Sequence, residues 1–97
     1  VANYRLTDKA QSEISLIYKY SIENFGLAKA QDYVSSFQEA FAMIFDNPLI
    51  GRDVSFVKEG YRRYEHASHS IYYKAQKPEN ILIVRVLGAS QDPITNI

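Results

Sequence analysis

Eight apolar side chains, Ala30, Tyr33, Val34, Phe37, Ala40, Phe41, Ile44 and Phe45, recur at three- and four-residue steps, and no other feature constrains this chain as tightly. At 3.6 residues per turn they make one stripe along four helical turns, so the chain needs a helix with a face to bury. Asn47-Pro48 ends it, because the proline ring disfavours αR in the residue before it and offers no N–H to continue the ladder. Tyr33, Phe37, Phe41 and Phe45 are therefore expected in the core.

A second stripe precedes the first. Ala10, Ile14, Ile17, Tyr18 and Ile22 share the helical period, Thr7 offers an N-cap oxygen, and Asp8 places a negative charge in the first turn. Gly26 tolerates positive φ, so the pattern predicts a helix over residues 8–24. Phe25-Gly26-Leu27 is too short a link for anything but antiparallel neighbours, which makes the pair a helical hairpin.

Around this hairpin the texture is that of strands. Asn3-Tyr4-Arg5-Leu6 alternates and reads as a short strand, whereas Leu49 to Gly60 has no period and reads as a loop with a turn near Ser55-Phe56. Residues 61–66, 70–75 and 81–87 are rich in Tyr, Ile and Val, and Lys77-Pro78-Glu79-Asn80 has proline where a type I turn takes it. Gln91-Asp92-Pro93 breaks the last strand and leaves a short tail. The hairpin must bury its stripe on a sheet, so the fold class is α+β. Residues 1–97 form one two-layer domain: an N-terminal strand, then an antiparallel helical hairpin packed on an antiparallel sheet, in the order β-α-α-β-β-β. Strict alternation puts Leu82, Val84 and Val86 on one face of the last strand and Ile81, Ile83, Arg85 and Leu87 on the other. Both sets are apolar, yet the helices cover one face only. The second face is expected to be roofed by loops or open to a partner.

Composition narrows the function classes. A chain of 97 residues, 46% apolar, has material for one core, and its apolar runs are far shorter than the roughly 20 residues that cross a bilayer. Eleven basic and eleven acidic residues cancel, so nothing draws the chain to phosphate backbones over long range, and sequence-specific nucleic-acid binding is not expected. The absence of cysteine excludes disulfides, thiolate nucleophiles and zinc–thiolate sites and suits a cytoplasmic protein. The N-terminal residues lack the charged and apolar blocks of a secretion signal. No G-K-[ST] or G-x-G-x-x-G run supports nucleotide binding, and no cofactor is expected.

Basic and imidazole groups gather late in the chain: Arg62, Arg63, His66, His69, Lys74 and Arg85 all fall on strands expected to be neighbours. They read either as an anion or acidic-peptide site, with His66 and His69 as an acid/base pair, or as a solvated face whose charges guard the sheet. Arg85, between Ile83 and Leu87, is either paired or aimed into a groove. His66 and His69 are not expected to hold a metal, since three-residue spacing at a strand turn would point the rings apart. Ser68 beside His69 lacks the elbow glycines and orienting carboxylate of a serine nucleophile. Leu16 and Tyr20 lie off the buried stripe of their helix, where a plain surface has little use for both. The residues alone thus describe an α+β domain with an interaction face and no convergent active site.

Several local motifs, in this order, resemble the ParE toxins of the RelE/ParE toxin-antitoxin (plasmid stabilization) superfamily. They are Tyr4-Arg5-Leu6-Thr7, Phe25-Gly26, Asn47-Pro48-Leu49-Ile50-Gly51-Arg52, Gly60-Tyr61-Arg62, Ser68-His69-Ser70-Ile71-Tyr72-Tyr73, Ile83-Val84-Arg85-Val86-Leu87 and Gln91-Asp92-Pro93. The resemblance runs from about Tyr4 to Pro93. It implies a toxin that poisons DNA gyrase by protein–protein contact without catalysing a reaction, and a ParD-like antitoxin whose C-terminal segment folds onto the toxin. By analogy Arg62, Arg63, His69 and Arg85, with Gln91 and Asp92 of the tail, are expected to contact the target. Ile14, Leu16, Tyr18, Tyr20, Arg62 and Arg85 are expected to hold the antitoxin. Family members commonly carry His where this chain has Gly88. The RelE branch cleaves mRNA on the ribosome with a C-terminal Tyr or His, and no Tyr or His follows Tyr73 here. A ribosome-dependent endoribonuclease and an inactive antitoxin-binding relic are the alternative readings.

Overall fold

A computed structural model describes residues 4–76, 80–88 and 90–97 of the chain. The order is β1 (Tyr4–Leu6), α1 (Asp8–Phe25), α2 (Leu27–Asp46), β2 (Arg52–Asp53), β3 (Tyr61–His66), β4 (His69–Gln76), β5 (Asn80–Gly88) and α3 (Pro93–Asn96). The strands form one sheet in the order β1-β5-β4-β3-β2. The α+β fold is the expected one, N-terminal strand included, with one further strand, β2, added at the far border. The loop after α2 contributes β2, antiparallel to β3, and β1 runs parallel to β5, so the antiparallel meander sits inside a mixed sheet. The expected turn at Lys77-Pro78-Glu79 lies outside the described residues.

Local chemistry places the helices as the sequence suggests. The Thr7 hydroxyl accepts the Ala10 N–H at 3.1 Å and donates to the Val84 carbonyl at 2.6 Å, so one side chain caps α1 and ties it to β5. Gly26, at φ 90°, ends α1 by donating its N–H to Ile22 and starts α2 by accepting from Ala30. The α2 stripe then meets the sheet: Phe37, Ala40, Phe41 and Ile44 pack with Ile71, Tyr73, Ile81, Ile83 and Val86, and Tyr33 and Phe45 join at the margin.

Strict alternation along β5 does not hold. Tyr72 lies opposite Arg85 but Tyr73 lies opposite Ile83, so Val84 is an extra residue in a bulge. A bulge reverses the parity beyond it. Ile81, Ile83 and Val86 therefore face the helices, while Val84 and Leu87 face away. The outer face is not left open. Val54, Tyr61, Tyr72 and Leu87 form a second cluster there, joined by Val57 and Ile97. The predicted turn at Ser55-Phe56 is its roof, closed by bonds from the Val57 N–H to the Val54 carbonyl at 2.8 Å and from the Val54 N–H to the Tyr61 carbonyl at 2.9 Å. The short tail after β5 forms α3, with Asp92 accepting the Ile94 N–H, and delivers Ile97 to the second cluster.

Tyr73 fixes the loop after α2. Its buried hydroxyl donates to the Pro48 carbonyl at 2.7 Å and accepts the Gly51 N–H at 2.9 Å. Burial raises the pKa of this phenol, so it stays a donor. A Cβ at Gly51 would stand 2.5 Å from the Tyr73 oxygen, so the close approach requires glycine.

Candidate functional site: an apolar groove at the end of the hairpin

The helical hairpin extends past what the sheet covers. On α1, Leu16 and Tyr20 lie one turn apart, with Ile17 and Ser21 beside them, and Phe25 follows at the helix end. Lys29 and Tyr33 line the start of α2, and Ser68 and His69 belong to the β3–β4 turn. Together these nine residues line a cavity of about 670 Å³. Leu16, Tyr20 and Phe25 are 66%, 61% and 62% exposed, and Leu27 next to them is also exposed. Large apolar side chains contiguous on a groove mark an interaction surface in a chain this small.

His69 forms part of the inner wall, and His66 lies behind it. His66 and His69 are opposed across the hairpin, and opposed residues share a face, so their rings converge instead of pointing apart. Both sit edge-on to Phe37, with centroids 4.7 Å and 5.6 Å away. His66 Nε2 is 2.8 Å from the Ser36 hydroxyl and His69 Nδ1 is 3.4 Å from the Tyr33 hydroxyl. The pKa of His69 is lowered, first by burial and then by His66, with Glu13 opposing. A neutral His69 with a phenol at its edge gives the groove a polar spot in an apolar wall. Among the described residues no three His, Asp or Glu side chains converge in a metal-binding cluster.

Other expected contact residues are scattered. Leu16 and Tyr20 lie in the groove, but Ile14 packs against the core and Tyr18 is half-buried. Arg62 donates to the Gly51 carbonyl at 2.5 Å on the helix side. Arg63 is on the outer face, paired with Glu65 at 2.7 Å. Arg85 resolves to the paired reading: Nε donates to Glu13 Oε2 at 2.8 Å, a second donor reaches the same oxygen, and the Asn96 carbonyl accepts another bond. Glu13 Oε1 also accepts the Val86 N–H at 2.7 Å, on the stretch of β5 that β1 leaves unpaired. Gln91 accepts the Gly88 N–H through its side chain, and Asp92 caps α3. Phe25, Lys29, Tyr33 and Ser68 were not anticipated as groove residues. Phe25 could have been found from its place just past the last buried turn of α1. Tyr33 could not, because the stripe that assigns it to the core says nothing about the edge of that core.

A chain in the chromosomal ParDE toxin-antitoxin system of P. aeruginosa has a similar fold. That chain matches with a TM-score of 0.75 and 20% identity over 91% of this chain and 96% of its own. The family described as ParE toxin of type II toxin-antitoxin system, parDE, matches residues 4–93, and this chain belongs to it. Relatives named toxin ParE1 are 29% identical in Mycobacterium tuberculosis (99% of this chain, 98% of the relative) and 32% identical in Caulobacter vibrioides (92% and 91%). The protein is thus a ParE-type toxin of a toxin-antitoxin system. Among the described residues no helix is long and apolar enough to cross a membrane.

Proposed function

We propose that this toxin arrests growth in the cytoplasm by binding DNA gyrase, without chemistry of its own, and that a ParD-like antitoxin neutralises it by laying an amphipathic segment into the hairpin groove. The observation that supports the antitoxin reading is the groove itself, with Leu16 and Tyr20 one helical turn apart and Phe25 at the helix end, all held out in solvent. An amphipathic helix placing anchors at i, i+3 or i+4 and i+7 matches such a surface. Lys29 at the rim favours an acidic residue beside those anchors. For the target, the residues carried forward are Arg62, Arg63, His69, Arg85, Gln91 and Asp92. His69 is the one that reaches the groove, and the others lie on separate parts of the surface or hold the fold.

Purified protein incubated with gyrase, ATP and supercoiled plasmid should yield linear plasmid. No linear product at micromolar toxin overturns the gyrase reading. Primer extension on transcripts from expressing cells should find no new cleavage sites; new sites would make the protein a ribosome-dependent nuclease. Normal growth during expression without antitoxin would make it an inactive relic.

A further inference from the structure

Zero net charge conceals a segregation. The two long helices carry six carboxylates and three lysines, so eight of the eleven cations lie outside them. Strand register sorts the sheet's share. Arg52 is opposite Arg63, and Arg63 is opposite Tyr72; Tyr61 is opposite Lys74, Lys74 opposite Leu82, and Leu82 opposite Arg5. Opposed residues share a face, and Tyr61 and Tyr72 belong to the outer cluster, so Arg5, Arg52, Arg63 and Lys74 all stand on the outer face. The Arg5 guanidinium reaching Gln76, two residues beyond Lys74, agrees with that placement. Lys58 joins them: its ammonium lies 6.0 Å from the Tyr61 ring centroid, and that of Lys74 lies 5.9 Å from it. Lys9, from the first turn of α1, meets Lys58 and Tyr61 in a cleft of about 200 Å³. Of these six cations only Arg63 has a carboxylate within ion-pair distance among the described residues. Arg52 stands directly opposite Arg63, whose guanidinium is already met by Glu65, while Arg52 itself has no carboxylate within ion-pair distance among the described residues.

We propose that this outer face holds the phosphate backbone of duplex DNA. A protein segment would need an apolar pocket for an anchor. Here Val54, Tyr61, Tyr72 and Leu87 are at most 6% exposed, closed off by the chain's own turn and tail. What the face offers is point charges spread from β1 to β2, roughly 19 Å at the usual strand spacing. A ligand with closely and evenly spaced charges satisfies them without apolar burial. The choice of duplex DNA over RNA rests on the gyrase reading, since gyrase works on duplex; the affinity for phosphate does not.

Fluorescence anisotropy with a labelled 20-base-pair duplex tests the assignment. With about four phosphates neutralised, affinity should fall on the order of 100-fold between 50 and 200 mM salt. Lys58→Gln and Lys74→Gln should each lower the slope of log affinity against log salt by about one, with circular dichroism unchanged. Lys19→Gln, on the helix layer, should leave the slope as it is. No binding at 20 mM salt, or a slope indifferent to Lys58 and Lys74, overturns the proposal. So does tenfold tighter binding of single-stranded RNA, or of polyglutamate, than of the duplex. A toxin that binds duplex in this way but never linearises plasmid with gyrase removes the gyrase reading and leaves the face standing; linearisation without salt-dependent duplex binding removes the face alone.

Discussion

The two faces of the sheet have apolar centres of similar chemistry but very different covers. The inner face lies under two helices with a layer of aromatic rings between, Phe37 and Phe41 at its middle. The outer face is closed by one turn, two valines and the last residue of the chain. A thick cover that overhangs its sheet leaves an apolar groove at its free end; a thin one leaves the surrounding strand positions to cations. Surface of two characters, one apolar and one basic, thus follows from how each side of a single sheet is sealed.

Removing the centre of the thick cover should have the largest effect. Phe37→Ala is expected to cost about 3–5 kcal/mol in urea unfolding, whereas Val54→Ala under the thin cover should cost about 2 kcal/mol. Equal losses would erase the contrast between the faces. Next comes the pair that joins helix to sheet. Glu13→Ala leaves Arg85 and the Val86 N–H without their acceptor and should cost about 3 kcal/mol; Glu13→Gln, which keeps an acceptor, should cost less.

Tyr20→Ala should separate binding from folding. Unfolding should shift by no more than about 0.5 kcal/mol, while titration calorimetry with a ParD-like antitoxin should lose about 2 kcal/mol. A fall in stability with unchanged affinity would assign Tyr20 to the core and empty the groove of its role. The smallest effect is that of pH. The lowered pKa of His69 means the unfolded chain takes up the proton first on acidification. Its contribution to stability is whole above the ordinary histidine value of 6.5 and is lost as pH falls through that value toward the lowered one. Thermal unfolding at several pH values should therefore show a decline below about 6.5 that His69→Gln flattens. A decline of the same size in the variant would place its origin elsewhere.

Much of the fold was legible because periodicity is local. The α2 stripe, the Thr7 cap and the Gly26 break each depend on residues within a few positions of one another, and all appear where the pattern puts them. The bulge at Val84 was not legible, because it is a relation between β4 and β5 and leaves no mark on either strand's composition. The expected faces hold from Ile81 to Val84 and fail beyond it, where Val86 turns to the helices and Leu87 away from them. The site was readable in part for the same reason. Leu16 and Tyr20 betray themselves by lying off a buried stripe, but the convergence of His66 and His69 on Phe37 requires knowing that the two residues are opposed across the β3–β4 turn.

Local pattern alone specifies a helical hairpin on a small sheet, and the order of the motifs carries the family. Tertiary structure decided which of the many basic residues remain available to a partner. Arg85 and Arg62 are drawn into Glu13 and the Gly51 carbonyl, while Arg5, Lys58 and Lys74 are aligned on one outer face. Charge is a property of each residue, but whether a charge is met from within or left for a ligand depends on which strands become neighbours and in what register.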